Sequence, residues 1–293
     1  MLKRTKGEKI FAVFNYIGMV LLSLIFLIPV WHVLMGSLSD PLKISAHTGI
    51  ILYPLGEATL GGYKLVMQNN FILRSYANTI LVVVASTGIG TFLTILASYV
   101  MSVKGLYWKK PFNFLITFTM IFNGGLIPTY VVVRNLHMMD TYWSLIIPGC
   151  CIAYNIIIMR TSFSQIPDAL SEAATIDGAG HFRILFQIIL PVSKSIIAVI
   201  VLFYAIQNWN AWFNASIYLQ NRDLYPLQLT LREIVLKSSE NAIIADADGE
   251  TVDIFRPLIK YCSIMVSIIP MMIIYPFVQK YFVSGVMIGS VKG

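Results

Sequence analysis

The chain has 293 residues, 12% of them charged and 57% hydrophobic, with a formal net charge of +7 and a mean hydropathy of +0.75. A soluble domain carries about 25% charged residues, so this composition excludes an ordinary water-borne globule. The basic balance is a matter of membrane topology and does not argue for nucleic acid.

Six intervals lack Asp, Glu, Lys and Arg, and each approaches or exceeds the roughly 20 residues that a spanning helix needs. They predict an all-α, polytopic membrane protein with spans near 11–35, 76–102, 112–133, 141–159, 195–219 and 261–279, taken as one transmembrane domain over 1–293. A soluble core would instead have to bury six very long apolar helices. The first span follows a basic leader, "MLKRTKGEK". Its apolar run exceeds the 7–15 residues of a signal-peptide core, and no small-residue cleavage site follows, so it reads as retained.

In the second span Ser86, Gly90, Thr94 and Ser98 recur every fourth residue. Such a small-xxx-small ridge lets another helix approach closely, a reading that outweighs substrate contact. The third span holds Gly124-Gly125 and then Pro128, which weaken a helix by backbone entropy and a lost hydrogen bond. The break fits a hinge or pathway wall, or a frayed outer end. The fourth span is the shortest. Its Cys150 and Cys151, with Cys262 in the sixth, lack metal-site spacing and read as packing. His32, His47, His137 and His181 are scattered without a metal motif.

Between the fourth and fifth spans lies the segment 160–194, with Asp168, Glu172, Asp177 and Arg183. Burying these four near a bilayer centre would cost on the order of 10 kcal/mol, so the segment stays out of the membrane. Pro167 and Asp168 suit the start of a helix. Ala169, Leu170, Ala173, Ala174 and Ile176 continue it, and Gly178 stands where a left-handed C-terminal residue belongs. Phe182, Leu185, Phe186 and Ile189 then predict one face of a second helix ending at Pro191. Two readings remain at this level: an amphipathic connector, or a docking element that enters a partner's groove.

The fifth span carries "QNWNAWFNAS", which sets Gln207, Asn210 and Asn214 on one helical face beside Trp209 and Trp212. Amides and aromatic rings suit sugar hydroxyls and pyranose faces, but interhelical hydrogen bonds and an interfacial tryptophan belt account for the same residues. The loop Arg222–Lys260 follows, with a short helix at "PLQLTLREIVLK" and an acidic "ADADGETVD". Asp246, Asp248 and Glu250 faintly suggest calcium. The frame of a calcium loop is missing, so the stretch reads as a solvated turn.

With the N-terminus inside, the inner segments hold twelve Lys/Arg against four acids and the outer ones nine against ten. Basic inner loops set orientation, which predicts both termini in the cytoplasm.

The stretch "EAATIDGAGHFRILFQIILP", with "IPDALSEAATIDGA" overlapping it upstream, resembles the EAA loop of binding-protein-dependent ABC importer permeases. "GGLIPTYVVV", "NWNAWFNASIYL" and "LYPLQLTLREI" extend the resemblance over nearly the whole chain. It is to the carbohydrate-importer permeases of the maltose-importer type, nearest the branch associated with complex oligosaccharides. The resemblance implies that the loop is a coupling helix seated in a cleft of an ATPase subunit. Glu172 would be its polar anchor, Ala173 and Ala174 would permit close approach, Asp177 and Gly178 would form the turn, and Phe182 and Phe186 would pack the second helix. Gln207, Trp209, Asn210 and Asn214 are the candidates for a substrate pathway.

The implied partners are a second, related permease chain, two ATPase subunits, an extracytoplasmic solute-binding protein and an oligosaccharide, all acting at the lipid bilayer of a bacterial cytoplasmic membrane. No G-x-x-x-x-G-K-[ST] occurs in the chain, so ATP and Mg are expected on the partner subunits and no cofactor on this one. The alternatives are a secondary sugar transporter and a membrane-embedded enzyme. Both are weakened by the lack of intramembrane charge, and the second also by the lack of a nucleophile motif.

Overall fold

The computed structural model describes residues 5–236 and 249–290, and their regular structure is helical throughout. In chain order the helices are α1 (Lys6–Ser37), α2 (Pro41–Ala46), α3 (Gly61–Gln68), α4 (Asn70–Ser102), α5 (Lys109–Ile121), α6 (Leu126–Asn135), α7 (Trp143–Ile146), α8 (Ala153–Phe163), α9 (Asp168–Ile176), α10 (His181–Ile184), α11 (Leu190–Val192), α12 (Lys194–Trp209), α13 (Phe213–Tyr218), α14 (Leu227–Leu236) and α15 (Gly249–Ser290).

Among the described residues, three stretches are long and apolar enough to cross a membrane without interruption: Lys6–Ser37, Asn70–Ser102 and Pro257–Pro276. The predicted third span is a bent pair, with Lys109–Ile121 and Leu126–Asn135 meeting at 112°. A second bent pair, His181–Val192 and Lys194–Trp209 at 87°, joins the segment expected outside the membrane to the start of the predicted fifth span. The first break falls at the predicted glycines. Gly125 has φ +87°, a conformation that costs a residue with a Cβ but not glycine, and its N–H donates to Asn123 Oδ1 at 2.9 Å. The predicted fourth span is divided as well, into the four residues of α7 and the eleven of α8 with an irregular stretch at Ile147–Ile152. Pro148 and Gly149 lie inside that stretch. Six continuous spans are therefore not what the described residues form.

The chain divides into two compact units, one made of the described residues up to Asn70 with Glu233–Ile269, the other of Phe71–Arg232 with those from Pro270 onward. In the first, α1 begins with a capping box in which Thr5 and Glu8 each accept the other's backbone N–H, satisfying donors that a helix start leaves open. Nearly all of Ile10–Ile28 is exposed, an apolar surface of the kind that a bilayer accepts. Burial begins only at Met35, Gly36 and Ser37. There α15 closes in: a Cβ on Gly36 would stand 2.9 Å from the Tyr261 ring, and Cys262 Sγ lies 3.4 Å from the Ser37 carbonyl. Cys262 is fully buried, as its packing role requires.

The second unit is built on α4. Ser86, Gly90, Thr94 and Ser98 are all buried, and the ridge meets α8 and α12. Thr94 Oγ1 lies 2.8 Å from Tyr204 Oη, and Ser98 Oγ donates to the Ile156 carbonyl at 3.0 Å. A Cβ on Gly90 would stand 2.8 Å from the Tyr204 ring and 3.1 Å from the Cys150 carbonyl. Around this seam Ile95, Tyr99, Met159, Phe163, Ile200 and Tyr204 form a core that also receives the segment between α8 and α12.

Candidate functional site

That segment, Ser164–Ser193, starts with α9, whose Asp168 pairs with Lys104 just beyond α4. The hydrogen bond to Asp168, its charge and then that of Glu172 push the Lys104 ammonium above its ordinary value, so it stays charged. One residue of α9, Ala174, is buried in the core. Leu170, Glu172, Ala173 and Ile176 stay exposed.

The turn after α9 is built as its sequence predicts. Gly178 has φ +81°, Ala179 N–H donates to the Ala174 carbonyl at 2.8 Å and Gly178 N–H to that of Thr175 at 3.0 Å. This is the double closure of a Schellman motif, which satisfies the last carbonyls of α9. Ala179 packs back on the same core as Ala174, adding the apolar contact such turns use. Asp177 is the C-cap.

The second arm departs from the predicted helix. After α10 comes a π-helical turn at Leu185–Ile189, and only then α11. Ile184, Leu185 and Ile189 face the core, whereas Phe182 is 74% exposed and Phe186 48%. The expectation that the two phenylalanines pack this arm is therefore corrected. The inward register runs through the adjacent pair Ile184–Leu185 and on to Ile189, which leaves Phe182 and Phe186 outside it. His181, assigned no role from sequence, sits with Nδ1 3.3 Å from Tyr99 Oη. Phe182 overhangs an apolar groove of about 280 Å³ lined by Leu96, Tyr99, Val100, Val103 and Leu106.

The assembled surface is thus two-sided. Inward, Ala174, Ile184, Leu185 and Ile189 root the segment. Outward, two acids and several apolar side chains lie bare, with Leu170, Glu172 and Ala173 on α9, Asp177 at its C-cap, and Phe182 and Phe186 on the second arm.

The fifth-span candidates do not share one helical face. The helix stops at Trp209 and resumes at Phe213, with Asn210 as C-cap and Trp212 as N-cap, so the i, i+3, i+7 relation of Gln207, Asn210 and Asn214 is broken. Trp209 is buried, edge-on to Tyr76 at 5.8 Å. Asn210 turns its amide back to the Ile206 carbonyl at 2.9 Å. Gln207 and Asn214 remain exposed. Beyond the break, Arg232 of α14 lies over Trp212, with Cζ 3.6 Å from the ring centroid.

A polar clasp was not anticipated. Asn78 Nδ2 donates to the Asp223 and Tyr225 carbonyls at 2.7 and 3.1 Å, and its Oδ1 accepts from Tyr142 Oη at 2.8 Å. Ser75 Oγ lies 2.8 Å from Thr230 Oγ1, and Leu227 N–H donates to Thr79 Oγ1 at 2.7 Å. Arg74 pairs with Asp223 at 3.0 Å. The i, i+3, i+4 spacing of Ser75, Asn78 and Thr79 was the readable signal. Asp246 and Asp248 of the acidic stretch lie outside the described residues.

No family model matches the chain. It is 36% identical over 286 residues to the polygalacturonan/rhamnogalacturonan transport system permease protein YtcP of Bacillus subtilis (strain 168), covering 98% of this chain and 99% of that one. It is 34% identical over 292 residues to protein LplC of the same organism, covering 99% and 97%. Its fold matches a chain in the crystal structure of a bacterial ABC transporter involved in the import of the acidic polysaccharide alginate, with a TM-score of 0.85 and 28% identity over 96% of this chain and 100% of that chain.

Proposed function

The chain belongs to the permease subunits of ABC sugar importers, and from that membership we propose that it forms one of two permease halves that move an oligosaccharide across the bacterial cytoplasmic membrane by alternating access. The other half is a related chain. ATP and Mg are bound on two separate ATPase subunits, and a solute-binding protein delivers the sugar from outside. Both termini lie in the cytoplasm. The names of the relatives support a polysaccharide-derived substrate, since YtcP carries polygalacturonan and rhamnogalacturonan in its name.

The observation that carries this reading is the two-sided segment around Gly178. A mere connector has no reason to root three large apolar residues in the bundle while leaving Leu170, Phe182 and Phe186 bare beside Glu172. A docking element has that reason, because the bare face meets a partner and the rooted face moves the bundle. In this role Glu172 anchors a basic or hydrogen-bonding group of the ATPase, and Ala173 allows close approach. Ala174 gives the same closeness toward the subunit's own core. Asp177 and Gly178 fix the elbow, and Phe182 and Phe186 reach outward to the ATPase.

Purification of the complex from native membranes tests the reading. ATPase subunits and a binding protein should co-purify, and ATP-driven oligosaccharide uptake should follow reconstitution. Uptake by the isolated chain without an ATPase overturns it.

A further inference from the structure

The groove under Phe182 has two walls. Leu96, Tyr99 and Val100 of α4, with Val103 just beyond its end, recur at i, i+3, i+4 and i+7 and form one. His181, Phe182 and Leu185 of the docking segment form the other. Its two polar side chains face each other, Tyr99 Oη 3.3 Å from His181 Nδ1, and the remaining lining is hydrocarbon. Sugar hydroxyls buried there would lose their hydrogen bonds to water without replacement. An alkyl chain loses nothing.

Cations gather at the end of this groove. The turn after α4 and the start of α5 carry Lys104, Lys109 and Lys110, and the chain has no acid between Glu57 and Asp140. Asp168 pairs with Lys104. Lys109 is held at the groove itself, because its Nζ donates to the carbonyl of the lining residue Val103 at 3.0 Å and to that of Ser102 at 3.2 Å. An ammonium has three donors, so one is left for an anion. Lys110 is exposed. Between these lysines Tyr107 is 96% exposed and Trp108 63%. Aromatic rings among lysines at the end of a spanning helix mark the headgroup level of a bilayer, and α4 is long and apolar enough to span. The groove therefore starts where acyl chains start.

We infer that this groove holds an acyl chain of an anionic phospholipid whose phosphate meets Lys109 and Lys110. A zwitterionic lipid fits the walls but brings its own cation and gains less from the lysines. An apolar side chain of a partner protein fills the walls and leaves the lysines unmatched. The inference rests on the chain being a membrane protein and not on its cargo. It also gives the docking segment a direct lipid contact through His181, Phe182 and Leu185.

The test uses the whole importer with its ATPase subunits in nanodiscs. Two photoreactive probes carry the same diazirine-bearing acyl chain, one on phosphatidylglycerol and one on phosphatidylcholine, and peptide mass spectrometry reads the crosslinks on 96–106 and 181–185. Phosphatidylglycerol should label these peptides roughly 5- to 25-fold more than phosphatidylcholine, about fivefold for each lysine that meets the phosphate. Replacing both lysines, Lys109→Gln with Lys110→Gln, should bring the two probes to parity without changing the phosphatidylcholine signal. Lys110→Gln alone carries this arm if the double variant fails to assemble. Val100→Trp, at a half-exposed position, fills the groove and should cut labelling by both probes.

Equal labelling of wild type by the two probes overturns the inference, leaving ordinary lipid contact. Absence of label from both peptides also overturns it and assigns the groove to a partner subunit. So does a phosphatidylglycerol excess that survives loss of the lysines, or labelling that Val100→Trp does not reduce. None of these readouts involves transport, so the importer reading stands or falls separately.

Discussion

Tyr204 Oη of α12 lies 2.8 Å from Thr94 Oγ1 of α4, and the same hydroxyl accepts the Ile152 N–H at 3.2 Å where the chain is irregular before α8. One buried phenol thus ties together three segments, and its ring occupies the space that Gly90 leaves open. Gly90→Ala would set a methyl 2.8 Å from that ring and 3.1 Å from a backbone carbonyl, an overpacking worth about 1–3 kcal/mol of destabilisation. Tyr204→Phe strands a buried hydroxyl and an N–H, at a cost of about 1–3 kcal/mol. Thermal unfolding of the solubilised subunit should register both. A Gly90→Ala variant as stable as wild type would mean that α4 and α12 do not meet as closely as described.

The elbow separates backbone strain from docking. A Cβ on Gly178 meets nothing within 4 Å, but φ there is +81°. Gly178→Ala should therefore lose about 1 kcal/mol from conformation alone, whereas Gly178→Asn, which tolerates that region, should lose less. Gly178→Asp should impair substrate-stimulated ATP hydrolysis more than subunit abundance. Equal hydrolysis in all three variants would reduce the elbow to a simple connector.

Glu172→Lys reverses a charge on an exposed helix, where stability changes stay within about 0.5 kcal/mol. Abundance in the membrane should hold while ATPase co-purification drops. Normal association would remove Glu172 from the interface.

The Lys104–Asp168 pair has a predictable pH response. Its ammonium is pushed above the ordinary 10.5, so any stabilisation is fully present below that value and is lost only as pH rises through the higher folded value. ATP hydrolysis in Lys104→Gln relative to wild type should be constant between about pH 6 and 9, well below the titration of a lysine. A ratio that changes across that range would show that a different group controls the contact.

Orientation is open to labelling. In a variant without Cys150, Cys151 and Cys262, a cysteine at Tyr107 should be protected from an impermeant reagent in intact cells and one at Glu57 should react, following the Lys/Arg asymmetry. Reaction at position 107 would invert the topology and put the docking segment on the wrong side of the membrane.

How much of this was legible depended on whether local chemistry or packing decided the conformation. The breaks at Gly125 and Gly178 were readable because glycine at positive φ is a local matter, and the Schellman turn follows from residues within one turn of each other. The break at Asn210–Trp212 was not, since Asn-Ala-Trp contains neither glycine nor proline and nothing local forbids a continuous helix. The π turn at Leu185–Ile189 did have a local signal: Pro191 removes a hydrogen bond to Gln187 inside the turn and crowds its carbonyl, a feature that reads from sequence only as a helix end. The ridge of α4 was visible as a ridge, yet its partner Tyr204 stands 110 residues away from Thr94, and spacing alone carries no information at that distance.

The first span has its own consequence for biogenesis. Its anchor is at its last turn, where Ser37 meets Cys262 across 225 residues of chain. At about 5–20 residues per second of synthesis, α1 waits on the order of tens of seconds in the bilayer before that contact exists. Through that interval it is held by the chain that directly follows it: Trp31 Nε1 donates to the Leu52 carbonyl at 2.9 Å, the Ile51 N–H donates to His32 Nδ1 at 2.9 Å, and Ser37 Oγ lies 2.7 Å from Tyr63 Oη. A chain stalled before α15 would thus leave an inserted helix tied to its own following segment, with the Gly36–Ser37 face still waiting for Tyr261 and Cys262.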